Sequence, residues 1–88
     1  MQNFKTILDV AIEARNRAIS NSLLPKEVIA FVNLMLDSAI SIHKSDTRMA
    51  EYKVRCVASL IRYFTTPSMT LWDSNSKLKE YLVTNQLP

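Results

Sequence analysis

The stretch PKEVIAFVNLMLDSAISIH, residues 25–43, decides the fold. Pro25 has a fixed φ and no amide hydrogen, which suits the first position of a helix. Behind it Val28, Ile29, Ala30, Phe31, Val32, Leu34, Met35, Leu36, Ala39, Ile40 and Ile42 cover nearly the whole helical circumference. Only Lys26, Asn33, Asp37, Ser41 and Lys44 form a polar strip. A helix this apolar lies at the centre of a bundle or is shared with another chain. In so short a protein it can be both, so a homodimer that buries Phe31, Leu34, Met35 and Ile42 is expected.

Upstream, Phe4, Ile7, Leu8, Ala11, Ile12, Ala14, Ala18 and Ile19 recur at three- and four-residue intervals. That is the period of one buried helix face, and it sets a helix over about residues 3–20. Asn3 suits its N-cap, because an asparagine oxygen can accept a free amide of the first turn. Asn21 is the expected left-handed residue at its other end. Downstream, Ser45, Asp46 and Thr47 offer three successive caps for a helix over about residues 46–65, which Thr66-Pro67 ends,. Its polar strip is Arg48, Glu51, Arg55, Ser59, Arg62 and Thr66, with Lys53 the one charge on the apolar side. Tyr52, Tyr63 and Phe64 are assigned to the core side.

From Pro67 to Ser76 the pattern weakens, and a turn or short helix pinned by the Trp72 indole is expected. A short helix over about residues 76–84 follows, with Leu78, Tyr81 and Leu82 facing inward. No segment alternates with period two between turn signals, so strands are a poor fit. The fold expected is all-α: a small bundle of three main helices and a short C-terminal one, with residues 1–88 as one domain.

The chain has no glycine, where average usage predicts roughly six. Motifs that need a positive φ or a close approach to phosphate are thereby excluded: phosphate loops, the dinucleotide fingerprint and Asn-Gly hairpins. Function must then be carried on rigid helix faces. Cys56 is the only cysteine, so no internal disulfide forms, and neither a metal-ligand cluster nor a cofactor motif is present. The start Met1-Gln2-Asn3-Phe4-Lys5 has no apolar leader core, and Asp9 and Glu13 argue against a transit peptide,. The longest apolar stretch, Val28 to Ile42, spans 15 residues, short of the roughly 20 that cross a bilayer. The expected location is the cytoplasm, and a membrane is not an expected partner.

The net charge is +3. Charges cancel in residues 1–43 and in 63–88, so the excess lies in 44–62. There Lys44, Arg48, Lys53, Arg55 and Arg62 face only Asp46 and Glu51. Arg48, Arg55 and Arg62 recur every seven residues, forming a basic stripe. Glu51, three and four residues from Arg48 and Arg55, is placed for ordinary ion pairs with them. Arg15 and Lys53 sit on apolar faces. They either snorkel to water or mark the dimer interface, pairing with a carboxylate such as Asp37.

His43 reads as a histidine at a helix C-terminus, and Cys56 as a small buried hydrophobe. No nucleophile and base are spaced as a pair, so an enzyme is not expected. The reading that results is a non-enzymatic regulator, inhibitor or adaptor that acts stoichiometrically on a protein partner. Arg48, Arg55, Arg62 and Lys44 orient that partner, and Met69 and Trp72 supply apolar area. The alternative is a dimeric nucleic-acid-binding regulator that uses the stripe on phosphates.

Overall fold

The computed structural model describes residues 3–85, and local side-chain chemistry sets most of its helix ends. Met1 and Gln2, read above with the N-terminal stretch, lie outside the described residues. Helix α1 (Phe4–Ser20) is opened by Asn3, whose Oδ1 accepts from the Thr6 amide at 2.9 Å. Helix α2 (Lys26–Ile42) starts after Pro25, whose carbonyl accepts from the Val28 and Ile29 amides. Helix α3 (Thr47–Thr65) is capped by Asp46, with Oδ1 accepting from the Met49 amide at 3.0 Å. It ends at Thr66, whose amide and hydroxyl both donate to the Arg62 carbonyl, and Pro67 prevents continuation,.

The break after α1 differs from the expectation. Asn21 keeps a negative φ of −94°, and Ser22 takes the left-handed conformation at φ 56°. The Ser22 amide donates to Ile19 and the Leu23 amide to Ala18, which is the paired pattern of a Schellman ending. The position after the cap, not the cap itself, must turn left. Without a glycine, serine carries that conformation and its Cβ clash. Ser22→Gly is therefore expected to stabilise the fold by about 0.5–1 kcal/mol, the relief of strain being partly offset by a looser unfolded chain. Thermal unfolding would register this as a rise of roughly 4 °C.

Helix α4 (Leu71–Thr84) begins five residues earlier than the Ser76 start expected from the sequence. The reason is a capping box: Thr70 Oγ1 accepts from the Asp73 amide at 3.0 Å, and Asp73 Oδ2 accepts from the Thr70 amide at 3.4 Å. Two free donors are satisfied reciprocally, which fixes the first turn. Leu78, Tyr81 and Leu82 pack inward as expected. Trp72 does not pin the segment, since its side chain stands in solvent.

Helix α3 is the hub. It packs against α1, α2 and α4, whereas α1 and α2 touch each other only lightly. Its buried line Ala50, Val54, Val57, Leu60 and Ile61 meets Val28, Phe31, Val32, Met35, Leu36 and Ala39 of α2 in one core. Helix α1 contributes small side chains, Ala11 and Ala18, together with half-buried Phe4, Ile7, Leu8 and Ile12. No described helix is long and apolar enough to cross a membrane.

This packing covers two of the four residues through which the α2 dimer was expected. Phe31 and Met35 are buried by the chain's own helices, and Ile42 is half-buried against the same core. Only Leu34 among the four remains open, at 52% exposure. The outward side of α2 carries Lys26, Asn33, Asp37 and Ser41 beside exposed Leu34 and Ile40.

Candidate functional site

Arg48, Arg55 and Arg62 are all exposed on α3. At about 100° per residue, steps of seven leave them on one line, and each step advances about 10.5 Å along the axis. Lys44 is exposed too, but it lies in the turn before α3 and not on the helical line. The expected pairing with Glu51 is absent. Among the described residues the ion pairs are Arg17–Glu13 at 3.0 Å and Lys77–Glu80 at 2.7 Å. The stripe therefore faces water with no carboxylate within 4 Å among those residues.

The two cations on apolar faces settle differently. Arg15 does not meet Asp37. Its Nη1 donates to Asn33 Oδ1 at 3.1 Å, tying α1 to α2, while Nε and Nη2 donate to Asn16 Oδ1. Asn33 stands one turn before Asp37 on α2, and its neutral carbonyl suffices for a half-buried guanidinium. Lys53 is only 8% exposed. It lines a cleft of about 280 Å³ with Met49, Thr84 and Asn85, so its stem is covered while the cleft gives its head an opening, as in snorkelling. Arg15 is thus bonded to Asn33 within the chain, and Lys53 is covered along its stem.

Helix α4 lies antiparallel on α3. Ser74 Oγ donates to the Tyr63 carbonyl at 2.8 Å, and Tyr81 Oη donates to Ser59 Oγ at 2.9 Å. Lys77 Nζ sits 5.2 Å from the Tyr63 ring centre and 5.5 Å from that of Tyr81, cation–π distances. Tyr63 is half-buried under this lysine, and Tyr52 is exposed, so of the three aromatics assigned to the core side only Phe64 packs on the core.

With α4 anchored this way, its outer side carries exposed apolar side chains among Asn75, Lys79 and Glu80. Trp72 is 76% exposed, Val83 72% and Leu71 69%, the three highest values among the large hydrophobic side chains described. Met69 precedes them in the corner at 39%. Leu71 and Val83 were not singled out in the sequence. The signal that finds them is Thr70-x-x-Asp73, since the capping box fixes the phase of α4 and turns Trp72 and Val83 outward. The Ser74–Tyr63 bond sets this first turn beside the last turn of α3, so Trp72 and Arg62 belong to the same end of the bundle.

His43 and Cys56 occupy structural positions. The His43 ring stacks on Phe4 with centroids 4.0 Å apart and planes at 19°. Cys56 is buried, and burial pushes its thiol pKa up, with hydrogen bonds involving Tyr52 and Asn85 opposing part of the shift. A thiol whose folded pKa is raised favours the native state below the ordinary thiol range. That contribution is lost as pH rises through the folded value. Labelling of Cys56 near neutral pH is expected to be at least about a hundredfold slower in the native chain than in denaturant, because the thiolate is the reactive form and access requires opening. Comparison with family models, with curated proteins and with solved structures finds no match.

Proposed function

We propose that the chain is a non-enzymatic binding protein that acts stoichiometrically on a protein partner through the corner formed by Met69, Leu71 and Trp72. The observation that carries this reading is the exposed Trp72 on a helix start fixed by a capping box. An indole held rigidly in water costs solubility and contributes nothing to this chain's own core. On a partner, tryptophan is among the side chains that concentrate binding free energy. Phosphate binding alone would not call for this apolar area. The exposed arginines of α3 contribute a long-range field that orients the encounter.

The test places a photo-crosslinking amino acid at position 72 and irradiates the chain in its source cells. A discrete protein adduct is expected, displaced by excess wild-type chain and not by Trp72→Ala. An adduct with nucleic acid, or none, overturns the reading.

The unpaired stripe favours a second reading, in which Arg48, Arg55 and Arg62 hold phosphates of a nucleic acid. Its signature is retention of DNA or RNA at about 50–100 mM salt that falls steeply as salt is raised. Arg55→Glu with Arg62→Glu would abolish that retention.

A further inference from the structure

The open face of the α3–α4 hairpin carries two rows of opposite charge. One is Arg48, Arg55 and Arg62 on α3. The other is Asp73 and Glu80 on α4, also seven residues apart. Both rows therefore step by about 10.5 Å. They emerge from the same side. Lys77, on the flank of α4 that bears Asp73 and Glu80, lies over Tyr63, and these four residues with Ser76 line one open groove. Tyr81, one residue past Glu80, donates to Ser59 of α3. Ser59 and Tyr63 of α3, which meet α4, border the arginine line on that side.

The heights are fixed by the two interhelical bonds. The short Ser74 side chain bonds the Tyr63 backbone and sets that level, and the longer Tyr81 side chain reaches along α3 to Ser59. Asp73 then stands just beyond Arg62, and Glu80 stands between Arg55 and Arg62. Neither acid is spent on the stripe within the chain. Glu80 Oε2 takes Lys77 and leaves Oε1 open, while Asp73 Oδ2 takes the Thr70 amide and leaves Oδ1 open.

A face with a positive row beside a negative row is complementary to itself under one operation. A two-fold axis parallel to α3 and lying in the contact plane exchanges left and right but preserves height. It sets each arginine row on the acidic row of the other copy at matching levels. A two-fold axis across the rows would instead set like charge on like. We infer that the chain forms a homodimer through this α3–α4 face, with Arg55 and Arg62 of each copy meeting Glu80 and Asp73 of the other. Such an interface is isologous, so each pair occurs twice. Asp73 and Glu80 also make the face a poor match for a polyphosphate, which a second copy is not. Arg48 and Lys44 extend past the acidic row and stay open. This inference relocates the dimer from α2 and does not depend on what Trp72 contacts.

The test uses two charge-reversed full-length chains, Arg55→Glu/Arg62→Glu and Asp73→Lys/Glu80→Lys, measured by sedimentation at low and physiological salt. Every substituted position is solvent-facing or half-exposed, and circular dichroism checks that each chain folds. The wild-type chain is expected to dimerise, more weakly as salt rises. Each variant alone then sets like charges at the four paired positions and is expected to self-associate at least about tenfold more weakly. Mixed in equal amounts they form a one-to-one heterodimer, since the reversed charges of one chain meet those of the other. A pair with the same net charge changes placed on the exposed faces of α1 and α2 is the control for general attraction. A wild-type chain that is monomeric at about a hundred micromolar and low salt overturns the inference. So do charge-reversed variants that dimerise like wild type, a mixture that fails to associate, or a control pair that associates equally well.

Discussion

Leu60→Ala is expected to lower the unfolding free energy by about 3 kcal/mol, the usual loss for a fully buried leucine whose site collapses only in part. Leu60 is completely buried on α3 within the core shared with α2. The whole fold has roughly 4–13 kcal/mol to lose, at about 0.05–0.15 kcal/mol for each of its residues. One truncation thus removes between a quarter and most of it. In a chain this size that corresponds to a fall in Tm of roughly 12–24 °C. Calorimetry or denaturant melting measures it directly. A change under about 1 kcal/mol would mean that α3 is not the packed centre described here.

Trp72→Ala is expected to have the opposite profile. The side chain is 76% exposed and absent from the core, so thermal stability should move by no more than about 0.5 kcal/mol. Partner binding should weaken by at least about 30-fold, the equivalent of 2 kcal/mol for an anchoring tryptophan. The two readouts together discriminate. Loss of stability without loss of binding would make Trp72 a packing residue. Loss of binding alone is what an anchor at the Thr70-capped corner requires. Titration of the wild-type and variant chains against the crosslinked partner supplies the numbers.

Much of the fold was legible from local signals. Asn3, Asp46 and the Thr66-Pro67 pair mark helix ends because capping and proline chemistry act over three or four residues,. The apolar phases of α1, α2 and α3 predicted which sides are buried. What the pattern could not convey is how much of α2 the other helices cover. Phe31 and Met35 looked surplus in a list of apolar residues, yet α3 has enough apolar surface to absorb them.

The candidate site was less legible, for a related reason. Arg48, Arg55 and Arg62 could be placed on one line by counting. Whether Glu51 would neutralise them depends on rotamers, and whether Asp73 and Glu80 stand beside them depends on the height of α4 on α3. That height rests on two bonds between residues 11 and 22 positions apart, which no local period reports. Arg15 shows the same limit, since its Asn33 partner is a matter of interhelical level. The early start of α4 was readable in principle. Thr70 and Asp73 spell a capping box, but Pro67 and the small polar residues around it masked the signal.

Helix α4 leans chiefly on α3, whereas α3 is held from three sides. Elements with few neighbours open at lower free energy than the rest of a fold. When α4 lifts away it takes Trp72, Asp73 and Glu80 with it and leaves the arginine row behind. A local opening of α4 would therefore separate the acidic row from the basic one and the tryptophan from the end of the bundle.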